Sequence, residues 1–377
     1  MFHASKYALV HEWLTPKQTG GSELVVKQIL QNINADLYAL IDFESTNPNS
    51  YLYQRQIGTT FLQHFPLVRN GVQKYLPLLP FAIEQLDLSD YEIILSSSHA
   101  VAKGVITSPH QHHICYCHTP MRYAWDLTFE YLQQSPMGKG LRGILTRYLL
   151  HRLRQWDVIS ANRVDHFIAN SHHTAKRIWR CYRREATVIY PPVNIDRFSY
   201  QADKADFYVT VSRLVSYKQI SLIVQAFNQL QRPLVIIGGG SQLATLRKQA
   251  NPNIQLLGNQ PNEVVEAYLK QAKAFVYAAC EDFGIALVEA QACGTPVIAY
   301  DAGGAKETVK DFRKYPDQAT GLLFSPQTPA ALVEAVECFE AKQDQFSPET
   351  IYQQATHFSP QQFNTRYLEL LERVENW

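Results

Sequence analysis

The sequence predicts an α/β protein made of two doubly wound domains, and three observations carry that expectation. Apolar runs of strand length alternate with longer helical patterns along the whole chain, as they do where helices cover a parallel sheet. Many of those runs are β-branched or apolar on both faces, as strands buried on two sides must be. The pattern also restarts once, near the middle. At 377 residues the chain exceeds one ordinary domain of about 100–200 residues, so two cores are the prior.

Taken in order, the first half offers "YALVHEW", "DLYALID", "YEIILSSS", "HHICYCH", "HFIANS" and "ATVIYPPV" as strands. The second offers "FYVTVSRL", "PLVIIGGG", "IQLLG", "AFVYAA", "TPVIAY" and "GLLF". Between them "SELVVKQILQNI", "QISLIVQAFNQL" and "PNEVVEAYLKQAK" read as helices. The restart falls at "VIYPPVNIDRF", Val188 to Phe198. Pro-Pro stiffens the chain and stops a helix, so the inter-domain linker is placed there, with a new strand from about Phe207. The expected domains are residues 1–192 and 193–358, with a C-terminal helix near 359–377 packing back on the first. Two such domains facing each other would form a cleft, each offering the C-terminal ends of its strands to it.

Composition narrows the function. Hydrophobic residues make up 46% and charged residues 18%, which argues against extensive disorder. A formal net charge of +1 supplies no global field toward nucleic acid, so any anion must be gripped locally. The first residues hold no uninterrupted apolar core that would read as a signal peptide, and no apolar run is long enough to span a bilayer. Six cysteines lie mostly within apolar segments and without a CxxC pair. That usage predicts a reducing compartment, the cytoplasm.

Dinucleotide binding fits the glycine turns poorly. "VIIGGGSQL" follows a strand and opens a helix, but Leu243 stands where the third motif glycine belongs, and no acidic residue follows at the ribose position. The other glycine turn, Thr19-Gly20-Gly21-Ser22, also joins a strand to a helix. Glycine there permits close backbone approach and the helix N-terminus favours an anion, though an ordinary turn has the same form. A metal centre finds little support. "PHQHHICYCHTP" clusters His110, His112, His113 and His118, but there is no HExxH, no zinc-type cysteine spacing and no Asp-x-Asp. No metal and no cofactor is expected; were the ligand a nucleotide diphosphate, which some transferases hold through a divalent metal on such carboxylates, its charge would have to be met by Arg, Lys and helix N-termini.

Those groups occur in the second half. "VTVSRLVSYKQI" places Arg213 and Lys218 just past a buried strand, the edge at which α/β sheets bind ligands, and both side chains suit phosphate. "CEDFGIALVEAQACGTPVIAYDAGGAKETV", Cys280 to Val309, adds a helix starting near Phe283-Gly284-Ile285 and two carboxylates, Glu281 and Glu289. Were the stretch helical throughout, they would lie about 12 Å apart. That is too far to share a proton or a metal, and comparable to the distance from sugar to ribose in a nucleotide sugar.

This stretch resembles the E-x7-E signature of retaining family-4 glycosyltransferases of the GT-B fold, which has two Rossmann-like domains. "EWLTPKQTGGSE", "SSSHAVAKGV", "CYCHTPMRYAWD", "VIYPPVNIDRF", "VSRLVSYK" and "EAQACGTPVIAYDAGGAKETV" accompany it in order and cover most of the chain. Within the family the chain is most similar to bacterial mannosyltransferases of surface-polysaccharide pathways that use GDP-mannose. The resemblance implies an N-terminal acceptor-binding domain and a C-terminal domain that binds the nucleotide sugar. Glu281 would then bind donor-sugar hydroxyls and Glu289 the ribose. Arg213 and Lys218 would hold the diphosphate beside Phe283 and the amides of Gly284 and Ile285. His118 would line the sugar site, Gly20 and Gly21 would approach phosphate or acceptor, and Tyr123 and Trp125 would either stack on acceptor sugar or cover the core. The departure is Gly238-Gly239-Gly240, where relatives often carry an acidic residue between glycines. A nucleotide-sugar epimerase on the same fold and a non-catalytic nucleotide-sugar-binding protein are the competing readings. The implied partners are a nucleotide-sugar donor and a glycan or lipid-linked acceptor, with no nucleic acid.

One segment points to a membrane. Met137 to Trp156 carries Lys139, Arg142, Arg147, Arg152 and Arg154 with no acidic residue, and Leu141, Leu145 and Tyr148 share a helical face. A core helix has the same leucine pattern. The alternative is peripheral attachment to the inner face of the cytoplasmic membrane.

Overall fold

The computed structural model describes residues 6–16, 20–134 and 138–375. Met137 and Thr19, named above, lie outside them. The chain divides into two compact units, residues 1–191 with 363–377, and residues 192–362. The division falls within the Pro191-Pro192 pair.

The first unit is a seven-stranded parallel sheet: β1 (Tyr7–His11), β2 (Ala35–Ala39), β3 (Ile57–Thr59), β4 (Ile93–Ser98), β5 (His112–Cys117), β6 (His166–Ala169) and β7 (Ala186–Val188), in the order β3-β2-β1-β4-β5-β6-β7. Strand order therefore reverses direction between β1 and β4, which pair in register with His11 opposite Ser97. Every residue of β4 is buried, its terminal Ser96, Ser97 and Ser98 included. Buried hydroxyls need partners, and all three find them in the polar groups at the ends of neighbouring strands. β3 has no apolar run and was not expected. It pairs only with β2, at the sheet edge, where little burial is demanded.

Proline at 66, 77 and 80 breaks the connection from β3 to β4 into 3-10 turns and a short helix, Leu79–Ile83. The last helix, Pro360–Glu375, belongs to this unit from Phe363 on. Phe363, Tyr367, Leu371 and Val374, spaced four, four and three apart, join Leu9, Ile29, Leu37 and Tyr116 in one core. Burying four such side chains contributes about 6–12 kcal/mol before ordering costs.

The second unit is a six-stranded parallel sheet: β8 (Tyr208–Val211), β9 (Leu234–Ile237), β10 (Ile254–Gly258), β11 (Ala274–Tyr277), β12 (Val297–Tyr300) and β13 (Gly321–Phe324), in the order β10-β9-β8-β11-β12-β13. Its direction reverses between β8 and β11. Phe227, Ile236, Val276, Ile298 and Phe339 lie in its core. Both units are thus Rossmann-like, as the alternation of runs predicts.

Candidate functional site

In the second unit the loops after β8 and β11 leave the sheet at its reversal point, the place where such sheets open a ligand crevice. Lys218 comes from the first loop, and Tyr277 and Glu281 come from the end of β11 and the loop behind it. The Lys218 ammonium pairs with the Glu281 carboxylate and donates to the Tyr277 hydroxyl at 3.0 Å, while that hydroxyl donates to Glu281 Oε1 at 3.1 Å. Burial pulls the Lys218 pKa down, but Glu281 and Tyr277 outweigh it and leave it raised. The ammonium is charged at any working pH. It has three N–H donors, two of them used here. Arg213 stands exposed on the same loop, donating to Tyr217 Oη at 2.7 Å, and the Tyr217 ring lies 5.5 Å from Lys218 Nζ.

Gly284 sits at φ +90° and caps the helix Ile285–Ala292 without any side-chain cap. A Cβ there would come within 2.8 Å of Leu287 Cδ1, so both conformation and space call for glycine. Gly303 and Gly304, after β12, pass so close that added Cβ atoms would meet the carbonyls of Glu281 and Phe283 at 2.1 Å. Gly304 N–H donates to Glu281 O at 2.9 Å. Glu281 is therefore fixed by backbone as well as by side chain. The helix starts only at Ile285, so the stretch from Glu281 to Glu289 is half turn and half helix. The 12 Å figure for a continuous helix does not apply.

Glu289 points to different company. Arg197 Nη2 donates to its Oε1 at 2.9 Å. Burial pushes the Glu289 carboxyl up and Arg197 pulls it back in part. The glycine turn after β9 packs on the β8 loop: Cβ atoms at Gly238 and Gly240 would meet the carbonyls of Ser212 and Leu214 at 1.9 and 2.4 Å. Close backbone packing accounts for these two glycines without any ligand.

In the first unit the reversal point between β1 and β4 gathers polar groups that the sequence reading largely missed. Glu12, fully buried, accepts from Ser98 Oγ and from the amides of His99, Ala100, Val101 and Ala102 at 2.8–3.1 Å. Burial opposes its charge, but His99 and those amides leave the carboxyl below its usual range. It holds the chain as it leaves β4. Ser97 Oγ lies 3.1 Å from His11 Nδ1 and 2.9 Å from His118 Nε2. The His99 and His118 rings are 6.4 Å apart, with Trp13 edge-on to His99 at 4.8 Å. Burial, with His99 and His11 nearby, keeps the His118 imidazole well below its ordinary pKa and hence neutral.

Gly20 N–H and Ser22 Oγ donate to Glu23 Oε2 at 2.7 and 2.9 Å, which closes the turn on itself at the start of the helix Gly21–Asn32. A Cβ at Gly20 would make only ordinary contact, 3.5 Å from Glu23 Oε2. The signal for this cluster was polar residues directly behind apolar runs: "YALV" then His11-Glu12, and "IIL" then three serines.

Tyr123 and Trp125 pack against the first unit's core. The Trp125 indole donates to buried Asp157 at 2.7 Å, and Asp157 also pairs with buried Lys103 and accepts from Tyr182 at 2.9 Å. Its N–H is spent on the fold. His113, the buried member of the His110–His113 group, bridges Ser96 and the Arg163 carbonyl, and burial lowers it to about 4. Among the described residues no group of three or more His, Cys, Asp or Glu side chains is arranged to hold a metal ion.

Two units, each with polar groups gathered where its parallel sheet reverses, define a class of α/β protein that binds ligands at strand ends. The comparisons supply the family. The sequence matches the family described as Glycosyltransferase Family 4 over residues 19–197 and that described as Glycosyl transferases group 1 over residues 193–357. The chain belongs to the family-4 glycosyltransferases of the GT-B fold.

It is 29% identical over 198 residues to the GDP-mannose-dependent alpha-(1-6)-phosphatidylinositol monomannoside mannosyltransferase of Mycobacterium tuberculosis, covering 44% of this chain and 50% of that one. To a monoacylated-substrate counterpart in Corynebacterium glutamicum it is 38% identical over 128 residues, 30% of this chain and 32% of the relative. The chain spans about half or less of the length of such curated relatives. Anabaena HepE bound to UDP and glucose shares its fold at a TM-score of 0.67 and 18% identity, covering 98% of this chain and 99% of that one.

Proposed function

We propose that the chain is a retaining mannosyltransferase. It moves mannose from GDP-mannose to a glycan or lipid-linked saccharide in polysaccharide biosynthesis. The observation that carries the reading is the Lys218–Tyr277–Glu281 triangle at the reversal point, beside a glycine-capped helix N-terminus. The third Lys218 N–H and the Arg213 guanidinium are cationic donors for a diphosphate. The Gly284 and Ile285 amides and the helix dipole add to them. Phe283, buried against Phe358, fixes the turn that carries these amides.

Glu281 takes donor-sugar hydroxyls, Glu289 takes the ribose, and His118 contacts the transferring sugar. Gly20 and Gly21 bring backbone to phosphate or acceptor. Tyr123 and Trp125 offer at most ring faces to the acceptor. In this reading residues 193–358 bind the nucleotide sugar and residues 1–192 the acceptor.

The bond from the anomeric carbon to the diphosphate oxygen breaks, and the acceptor oxygen bonds to that carbon on the same face. The acceptor proton passes to the departing phosphate, whose charge Arg213, Lys218 and the helix N-terminus stabilise without a divalent ion. GDP released from GDP-mannose only when acceptor is present supports the reading. C2-epimerised sugar without transfer supports an epimerase, and binding without turnover supports a non-catalytic protein. UDP-glucose run in parallel tests the donor.

The proposed site of work is the inner face of the cytoplasmic membrane. On the helix Gly140–Ala161, Leu141, Ile144, Leu145 and Tyr148 are 85, 66, 57 and 58% exposed, with exposed Lys139, Arg142, Arg147 and Arg152 around them. A core helix would bury those leucines. An anionic bilayer complements both the apolar strip and its charge. Arg154 is half-buried and donates to the Ala124 carbonyl at 2.8 Å, and Arg147, though exposed, donates to the carbonyls of Gly138 and Gly143 at 3.1 Å. Among the described residues no helix is long and apolar enough to cross a membrane.

A further inference from the structure

We infer that His118 works as a neutral Nδ1–H donor whose tautomer is set by Ser97 and, through Ser97, by His11. His11 Nδ1 lies 3.1 Å from the Ser97 carbonyl oxygen and 3.1 Å from Ser97 Oγ. A carbonyl only accepts, so Nδ1 of His11 carries a hydrogen. Ser97 Oγ therefore accepts from His11. Its own hydrogen has one acceptor left among the described residues, His118 Nε2 at 2.9 Å. His118 Nε2 must then be unprotonated, and a neutral ring with a bare Nε2 has its hydrogen on Nδ1.

That nitrogen has no hydrogen-bond partner among the described residues, so it is the atom His118 can offer to a ligand. It offers a donor and not a base. The opposite tautomer would leave the buried Ser97 hydroxyl hydrogen without an acceptor, which costs free energy. Backbone geometry sets the device in advance, because His11 and Ser97 are register partners on β1 and β4 and His118 N–H donates to Ser98 O at 2.8 Å. Neutrality is supported by the burial of His118 and by its histidine neighbours, which oppose a positive charge.

His11 and Ser97 are positioning residues in this scheme, which rests on the reading of His118 as a group of the transfer site. The fitting partner is an oxygen acceptor on the transferring sugar or its phosphate.

The test is imidazole nitrogen NMR on protein with 15N-labelled histidine, His118 being assigned by its loss in His118→Gln. The expected wild-type spectrum shows Nδ1 protonated and Nε2 bare. In Ser97→Ala the ring should revert to the intrinsically favoured Nε2–H form, with kcat down about tenfold and KM for the donor little changed. Ser97→Thr, which keeps the hydroxyl, should restore both. A wild-type ring protonated at Nε2 overturns the tautomer assignment whatever the variants do. A correct tautomer with full turnover in His118→Gln instead removes His118 from the transfer site and leaves the tautomer assignment standing.

Discussion

Replacing Glu281 by Gln tests the central geometry, because the substitution keeps the shape of the side chain and removes its charge. In the folded protein the Lys218 and Glu281 side chains are only 13% and 19% exposed. Breaking a fully buried pair costs about 3–5 kcal/mol, and an exposed one contributes about 0–1. A pair exposed to this degree lies between, at about 2 kcal/mol. Lys218 would keep Tyr277 at 3.0 Å but lose its counter-charge. For a unit of 171 residues, 192 to 362, about 2 kcal/mol lowers Tm by roughly 4–8 °C.

The effect on transfer is separate. A charge-assisted hydrogen bond to a sugar hydroxyl is worth about 1.5–3 kcal/mol, so kcat should fall roughly ten- to hundredfold at saturating donor. GDP release gives the rate and calorimetry gives Tm. The double variant with Lys218→Met closes a thermodynamic cycle. It should lose less stability than the two single losses added together, since neither charge is then left alone. Wild-type turnover together with an unshifted Tm in Glu281→Gln would refute both the ion-pair energetics and the sugar role. A shifted Tm with unchanged turnover would refute the sugar role alone.

Glu289→Ala should weaken GDP affinity with less effect on kcat, and Arg197→Ala should alter that affinity too by freeing the carboxylate. Equal Kd values in wild type and Glu289→Ala, read by titration calorimetry, count against the ribose assignment. Turnover should survive EDTA, and activity that disappears with chelator and returns with magnesium or manganese contradicts a diphosphate held by Arg213 and Lys218 alone. Glu23 is held down to about 2 from an ordinary value of 4.5: burial opposes its charge, but His11, Ser22 and backbone amide outweigh it. A carboxylate depressed that far contributes about 3 kcal/mol above pH 4.5, lost as pH falls toward 2. Glu23→Gln should accordingly lower stability at pH 7 and converge with wild type near pH 2 in denaturant titrations. Finally, the protein should sediment with anionic vesicles at low salt, and reversing Arg142 and Arg152 should release it. Wild type remaining in the supernatant would end the membrane reading.

What was legible in the sequence, and what was not, follows from how far each interaction reaches along the chain. Strands announced themselves because a parallel strand buried on both faces must be apolar throughout, and β3 escaped because an edge strand of three residues carries no such demand. Lys218 and Glu281 could be picked out singly, since each is a charge placed just after an apolar run. Their pairing could not, and neither could Tyr277, which reads as one more aromatic strand residue until the fold brings its hydroxyl to Glu281. The same holds for Arg197, 92 positions from the carboxylate it meets, and for Trp125, whose hydrogen bond ends on Asp157, 32 positions on.

The first unit gives the clearest case. His11 and Ser97 sit 86 residues apart inside runs that otherwise look like plain core. What brings them together is that β1 and β4 are neighbours, which the order of strands in the sheet decides and no local pattern records. Polar residues at the last positions of a buried strand are the one trace such a meeting leaves, because a hydroxyl or imidazole cannot stay there unpaired. "LVHE" and "LSSSH" both carry that trace. In a doubly wound sheet these endings all emerge at one edge, so a polar ending on an apolar run already says which side chains will be assembled, though not which will touch.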